Sequence, residues 1–261
     1  MGELADAFEA VVAKWSAPAS VSGVPTPLGE TRVIGCGDGD PIVLLPGGGA
    51  TAASWFGVAG RLPGRVYAVD LPTHPRNLDD LMSWVDAVLV GLELDRITLC
   101  AHSYGAWIAL NYALRHPAVV SRLALLDPTD CFTGLSPRYR LRAVPLVLRP
   151  SGPRQESFLR WETAGRPLDP DWLRLVRAVA DLPPPHIVFP RRPNLLGLTV
   201  PTLVLIAAHS KAHDPRRVAE RATHQPTITA DLLDNATHHS IPVHEPDVLA
   251  ARLTRWLVSQ G

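Results

Sequence analysis

The chain has 261 residues, 46% of them hydrophobic, and its 25 basic and 25 acidic side chains give a formal net charge of zero. This length allows one large core or one core with an inserted segment, and the charge balance disfavours nucleic acid as a partner. No stretch approaches the roughly 20 apolar residues of a membrane span, and the N-terminus lacks a basic stretch before an apolar run, so we expect a cytoplasmic protein without membrane association.

In chain order, an amphipathic segment comes first and predicts an added helix over residues 3–16. Apolar strand-like runs then alternate with helical patterns, which is typical of a doubly wound α/β fold with a mostly parallel sheet. The predicted strands are Thr31–Gly35, Ile42–Leu45, Val66–Asp70, Ile97–Cys100, Leu123–Asp127, Leu203–Ala207 and Asp231–Leu233. The predicted helices are Ala52–Leu62, Leu78–Leu92, Ala106–Arg115, Val218–Thr223 and Asp247–Val258.

A candidate nucleophile lies where the strand Ile97–Cys100 meets the helix Ala106–Arg115. Ser103 is flanked two residues away by Ala101 and Gly105, and a sharp strand-to-helix turn leaves room only for small residues at those positions. The segment fits the G-x-S-x-G nucleophile elbow, with alanine in place of the first glycine. The pattern predicts a serine hydroxyl held away from the backbone.

Two other features suit the same chemistry. Gly47–Gly49 follows a predicted strand, and a glycine-rich turn there leaves backbone N–H groups unshielded, as an oxyanion hole requires. His238 and His239 follow the last predicted strand and precede the last helix. With serine first and histidine last, the chain from about residue 28 to residue 257 resembles the α/β-hydrolase family of serine-nucleophile esterases and lactonases.

The resemblance implies an acid, for which two residues are candidates. Ser210 stands where the family usually carries aspartate, and serine cannot balance an imidazolium. The family also has members with the acid at the end of the preceding strand, where this chain has Asp127. Motif register favours Asp127 over Asp214, which lies in the turn after the later strand.

The base is ambiguous by one residue. Counting from Leu232–Leu233 places His238 in the family's catalytic register, whereas counting back from the final helix places His239 there. The small Thr237 before it favours His238. For the oxyanion hole, the resemblance implies the N–H groups of Tyr104 and of Gly48. The His-His pair lacks a third ligand at suitable spacing, so we expect neither a metal nor an organic cofactor.

Residues 129–199 interrupt the alternation, at the position where the family inserts a lid. We therefore predict a helical lid after the sixth strand, with the hydrolase core formed by residues 1–128 and 200–261. Leu146, Phe158 and Trp161 are its candidate pocket walls. The segment carries eleven arginines against six acidic residues, which could attract an anionic substrate or an acyl carrier.

These features predict a serine hydrolase that cleaves a small-molecule carboxylic ester or lactone through an acyl-enzyme on Ser103. A thioesterase acting on a carrier-bound acyl group is the alternative that the basic segment favours. A hydrolase-fold binding protein with vestigial catalytic residues is the alternative that Ser210 favours. We expect a monomer or a homodimer.

Overall fold

The computed structural model describes residues 2–259. Within them, eight strands form one sheet in the order β1-β2-β4-β3-β5-β6-β7-β8. Strand β2 runs antiparallel to β1 and β4, and the other neighbours are parallel, which confirms the predicted mostly parallel sheet. The strands are β1 Ser20–Thr26, β2 Gly29–Cys36, β3 Pro41–Leu45, β4 Arg65–Val69, β5 Ile97–His102, β6 Val120–Leu126, β7 Thr202–Ala207 and β8 Ile228–Leu233.

Helices cover both faces of this sheet and divide the core into two clusters. One cluster joins α1, α6 and α8 to one face, and the other joins α2, α3 and α7 to the opposite face. The helices are α1 Glu3–Val12, α2 Leu78–Gly91, α3 Ser103–Arg115, α4 Pro137–Leu148, α5 Gly152–Glu162, α6 Pro170–Ala180, α7 Pro215–Thr223 and α8 Pro246–Ser259. Because β5 and β7 are covered on both faces, each is a continuous buried run rather than an alternating one.

The insertion, residues 129–199 between β6 and β7, contains α4, α5 and α6. It packs on α1 through α6, and just after α1 Lys14 donates to Asp169 at the start of α6. No helix within residues 2–259 combines the length and apolar character needed to cross a membrane.

The structure departs from the predicted elements in three places. The predicted helix Ala52–Leu62 is wrong: two short 3₁₀ turns, Ala52–Trp55 and Ala59–Arg61, occupy this region. Gly57 lies between the two turns, and a Cβ there would be 2.7 Å from Pro246. Gly60 lies in the second turn, and a Cβ there would be 2.4 Å from Ser16. Close packing against these neighbours therefore takes the place of a continuous helix. The predicted N-terminal helix 3–16 ends at Val12. Strand β1 was missed because this edge strand is mostly exposed and lacks an apolar alternation.

Candidate active site

The turn from β5 into α3 holds Ser103 in a sparsely populated conformation. Its φ is 54°, in the left-handed region that a residue with a side chain rarely adopts. Two residues later, a Cβ on Gly105 would lie 2.3 Å from the carbonyl oxygen of Pro46. The glycine is therefore required by the close approach of β3, and surrounding packing must hold the strained serine, a cost of roughly 1–3 kcal/mol.

Three of the sequence-predicted residues form one chain of contacts at the carboxyl end of the sheet. The Ser103 hydroxyl lies 2.8 Å from Nε2 of His238, and Nδ1 of His238 lies 2.6 Å from Oδ2 of Asp127. Ser103 follows β5, Asp127 follows β6 and His238 lies in the 3₁₀ turn after β8. All three are buried. With Nδ1–H donating to the carboxylate, Nε2 is left to accept the serine proton.

Asp127 is surrounded by donors. Besides His238, its carboxylate accepts from the backbone N–H of Ala207 at 2.9 Å, the Ser210 hydroxyl at 2.8 Å and Nε2 of His213 at 3.0 Å. Burial alone would raise the pKa of Asp127. The charges of His213 and His238 and their hydrogen bonds to the carboxylate outweigh burial and hold this pKa well below its usual range. Asp127 is thus a carboxylate, and Ser210 serves it as a donor.

The competing candidates lie elsewhere in the structure. Asp214 is exposed and caps α7, where it accepts from the backbone N–H groups of Arg216 and Arg217. Nε2 of His239 lies 2.8 Å from the Tyr139 hydroxyl, so this ring bonds Tyr139 rather than Ser103. Burial, assisted by the charge of His238, lowers the pKa of His239 to about 4, so this ring is neutral near pH 7.

The glycine-rich turn lies beside the first residues of α3. A Cβ on Gly48 would be 3.6 Å from the Cβ of Tyr104, which puts the two backbones side by side. The N–H of Tyr104 is in the first turn of α3 and has no acceptor within the helix. The turn itself uses the N–H of Ala50, which donates to the carbonyl of Gly47, and leaves the N–H of Gly48 outside that bond. Gly48 and Tyr104, whose N–H groups the resemblance implied, thus lie side by side, and Gly48 lines the same cavity as Ser103.

Comparison with known proteins shows the family of this chain. The sequence model of the Alpha/beta hydrolase family matches residues 42–252. The chain belongs to the alpha/beta hydrolase family. Among curated relatives of this hydrolase, the uncharacterized carboxylesterase nap of Bacillus subtilis is 26% identical over 259 residues, covering 89% of this chain and 85% of the relative.

Solved structures share the fold of this alpha/beta hydrolase over almost its whole length. Naproxen esterase (carboxylesterase NP) from Bacillus subtilis superimposes with a TM-score of 0.89 at 23% identity, covering 98% of this chain and 97% of the other. Carboxylesterase CesB (YbfK) from Bacillus subtilis gives a TM-score of 0.89 at 24% identity, covering 97% and 96%. At this identity, the likeness shows the fold.

A buried glutamate that the sequence analysis missed supports the histidine turn of this hydrolase. Glu162, the last residue of α5, has no exposed surface, and its carboxylate accepts from the backbone N–H groups of His238 at 3.1 Å and His239 at 3.0 Å. The insertion thereby fixes the backbone that carries the candidate base. Its contact partners are some 75 residues away in sequence, so no local pattern distinguishes Glu162 from a surface glutamate.

Two more polar side chains of this alpha/beta hydrolase complete the surroundings of Ser103. The Thr129 hydroxyl lies 3.0 Å from the Ser103 oxygen, and it is the donor when Ser103 donates to His238. Nε2 of His102 lies 2.9 Å from the carbonyl oxygen of His238. Burial and the nearby histidines hold the pKa of His102 well below its usual value, so its neutral ring donates Nε2–H to that carbonyl. Neither residue has a spacing signal in the sequence.

The cavity beside Ser103 is small. Its volume is about 30 Å³, and its walls include Trp55, Trp172 of α6 and His239. Of the predicted pocket residues, Leu146, Phe158 and Trp161 are not among those that line it. Phe158 instead packs edge to face against His239, at 5.4 Å between ring centroids, and Trp161 packs against Phe158. This space holds little more than water.

Proposed function

We propose that this protein is a serine hydrolase that cleaves small carboxylic esters or lactones through an acyl-enzyme on Ser103. The observation that carries this proposal is the unbroken contact from the Ser103 hydroxyl through His238 to Asp127. The carboxylesterase names of several relatives support the same substrate class. Asp127 is the acid and His238 the base, while His239 has no role in proton transfer.

The chemistry follows from these contacts. Ser103 Oγ attacks the acyl carbon while Nε2 of His238 takes its proton, and Asp127 stabilises the resulting imidazolium. The N–H groups of Gly48 and Tyr104 receive the oxyanion, and donors of this kind are worth on the order of 3 kcal/mol each in related enzymes. His238 then returns the proton to the leaving alkoxide. Water then attacks the acyl-enzyme while Nε2 of His238 takes its proton, and His238 returns that proton to Ser103 Oγ as the carboxylic acid leaves.

We propose that the insertion acts as a lid. The small cavity at Ser103 is closed partly by Trp172, whose indole N–H donates to the Ser54 hydroxyl at 3.3 Å. An ester larger than a few atoms needs α6 to move outward before it reaches Ser103. The closed arrangement excludes bulk water from the acyl-transfer step.

The test is hydrolysis of p-nitrophenyl esters and of a matched lactone series by the wild-type protein, the Ser103→Ala variant and a Ser83→Ala control. Ser83 is exposed on α2. We expect a burst of nitrophenol followed by steady turnover from wild type and Ser83→Ala, and no turnover above background from Ser103→Ala. Equal hydrolysis by all three proteins, or none from the folded wild type, would contradict the proposal.

A thioesterase is the second candidate, and one observation favours it. Arg138, Arg140 and Arg142 are exposed on α4, and two of them lie over the Trp161 ring, so this face could receive an acidic acyl carrier. Turnover of acyl-pantetheine should be compared with that of the matching oxygen ester. A clear oxygen-ester preference would eliminate this candidate. The vestigial-binding alternative depended on an acid that fails to reach histidine, and the 2.6 Å contact of Asp127 with His238 argues against it.

A further inference from the structure

A second and larger cavity lies behind the candidate acid. Its volume is about 410 Å³, in the size range of small-molecule sites, and it shares no lining residue with the cavity at Ser103. Residues 133–137, at and just before the start of α4, and Arg217 and Arg221 of α7 form most of its walls. His213 is one of its lining residues and links it to Asp127.

The walls of this cavity are rich in positive charge. Arg192, Arg217 and Arg221 all line it, against one lining acid, Asp214, whose carboxylate is occupied by the backbone at the start of α7. Arg221 donates to the carbonyl oxygen of Phe132. Within residues 2–259, the guanidinium groups of Arg192 and Arg217 make no hydrogen bond or ion pair. Planar guanidinium groups bind oxyanions through two parallel hydrogen bonds, and these two are available to do so.

His213 is the titratable group at the wall of this cavity. The residue is only 4% exposed, its Nε2 bonds Asp127, and its Nδ1 is buried with no partner within the described part of the chain. Because Nδ1 has almost no accessible surface, an anion in the cavity acts on this ring through its charge rather than through a hydrogen bond to Nδ1.

The charges around His213 favour its protonated form. Burial opposes protonation, but Asp127, followed by Asp130 and Asp214, outweighs burial and raises the pKa of His213 above its usual value. The positive charges of the lining arginines oppose protonation of His213 until a bound anion neutralises them. A protonated His213 donates Nε2–H to Asp127 and adds positive charge at the wall of the cavity.

We propose that this cavity binds a small organic anion through its phosphate group, held by Arg192, Arg217 and Arg221, with His213 in the wall behind them. A phosphate group is favoured over a carboxylate because it offers three acceptor oxygens and up to two negative charges to this set of donors. Bound anion stabilises protonated His213, so binding takes up a proton and strengthens as pH falls through the titration of His213.

The test uses inorganic phosphate and sulfate as probes, with calorimetric titration of the full chain. We expect saturable binding of one anion per chain. Arg217→Gln should weaken binding at least about tenfold, because it removes a charged, two-pronged contact. Arg216→Gln is the matched control, since Arg216 is exposed on the same helix but does not line the cavity, and it should bind as wild type does.

The pH dependence of anion binding tests the role of His213. Sulfate keeps its charge between pH 6 and pH 8, so any change in its affinity over that range reports the protein. Wild type should bind sulfate more tightly at pH 6 than at pH 8, and His213→Gln should lose this dependence. Arg217 is exposed, so its variant decides the proposal even if His213→Gln does not fold.

Three results would overturn the proposal. They are absence of saturable binding to wild type, equal affinities for Arg217→Gln and Arg216→Gln, and tighter binding of malonate than of phosphate, which would reassign the site to carboxylates. A pH dependence that persists in His213→Gln would remove that residue from the site. Because binding is measured without turnover, these results are independent of whether the protein hydrolyses esters.

Discussion

Replacing Glu162 by glutamine should destabilise the protein and lower its activity together. The carboxylate accepts from the N–H groups of His238 and His239, one on each oxygen. Glutamine keeps one acceptor oxygen for one of these backbone N–H groups. Its amide NH₂ group faces the other backbone N–H, so two donors meet there. Losing a buried partner costs about 1–3 kcal/mol, and weakening a charged bond to a neutral one costs about 1 kcal/mol. The relieved desolvation of the carboxylate offsets part of this loss, so we expect a net destabilisation of about 2 kcal/mol.

The same change should move the turn that carries His238. Small displacements of a catalytic group cost up to about 10²-fold in rate. The assay combines urea unfolding, which gives the change in free energy of unfolding from the shifted midpoint, with kcat/KM for a p-nitrophenyl ester. The conservative variant Glu162→Asp, which keeps the charge on a shorter side chain, should recover part of both losses.

Glu156→Gln provides the matched control. Glu156 lies on the same helix and pairs with Arg160 and Arg177 at the surface, and exposed pairs of this kind are worth about 0–1 kcal/mol. Its loss should leave kcat/KM unchanged. The reasoning is refuted if Glu162→Gln unfolds at the same urea concentration as Glu156→Gln and keeps the wild-type kcat/KM.

Three further predictions concern other parts of the account. Asp127→Asn should lower kcat by about 10⁴-fold through the wrong histidine tautomer, whereas Asp214→Asn, which keeps a capping side chain, should change it little. Gly105→Ala should lower the free energy of unfolding by about 1–3 kcal/mol, measured in urea, because its Cβ meets the backbone oxygen of Pro46. Stability measured by thermal unfolding from pH 5 to 8.5 should peak near 6.5, the usual histidine pKa. Below that pH, His102 and His239, whose folded pKa values are lowered, lose their contribution as pH falls, His239 toward its folded pKa of about 4. Above it, His213, whose folded pKa is raised, loses its contribution as pH rises.

Each of these has a contradicting result. A larger kcat loss for Asp214→Asn than for Asp127→Asn would reverse the assignment of the acid. An unchanged urea midpoint for Gly105→Ala would show that β3 and α3 can move apart at little cost in free energy of unfolding. In the plot of stability against pH, His239→Gln should reduce the slope only on the acidic side of the peak, and His213→Gln only on the alkaline side. Unchanged slopes in these variants would show that other groups set the pH dependence of stability.

The parts of the fold and site that the sequence predicted are those with local signals. The elbow at Ser103 was predictable because a close turn demands small neighbours, and parallel strand ends bring Ser103, Asp127 and His238 to one edge. Register alone favoured Asp127 over Asp214, and the structure brings Asp127 to the histidine.

The parts that the sequence missed depend on distant contacts. Glu162 and Thr129 reach the site across the chain, and their neighbours in sequence carry no sign of it. The helix predicted over Ala52–Leu62 failed because the approach of α8 and of the segment after α1 requires Gly57 and Gly60 there. Likewise, the position of His213 behind Asp127 follows only from the packing of β6 against β7.

The central claim is that Ser103 is an activated nucleophile. Mass-spectrometric mapping of fluorophosphonate labelling on wild type and Ser103→Ala tests it without knowledge of the substrate. The account predicts a single modification on Ser103 in the wild type and none in the variant. Failure of the folded wild type to react, or labelling of another residue that persists in Ser103→Ala, would contradict it.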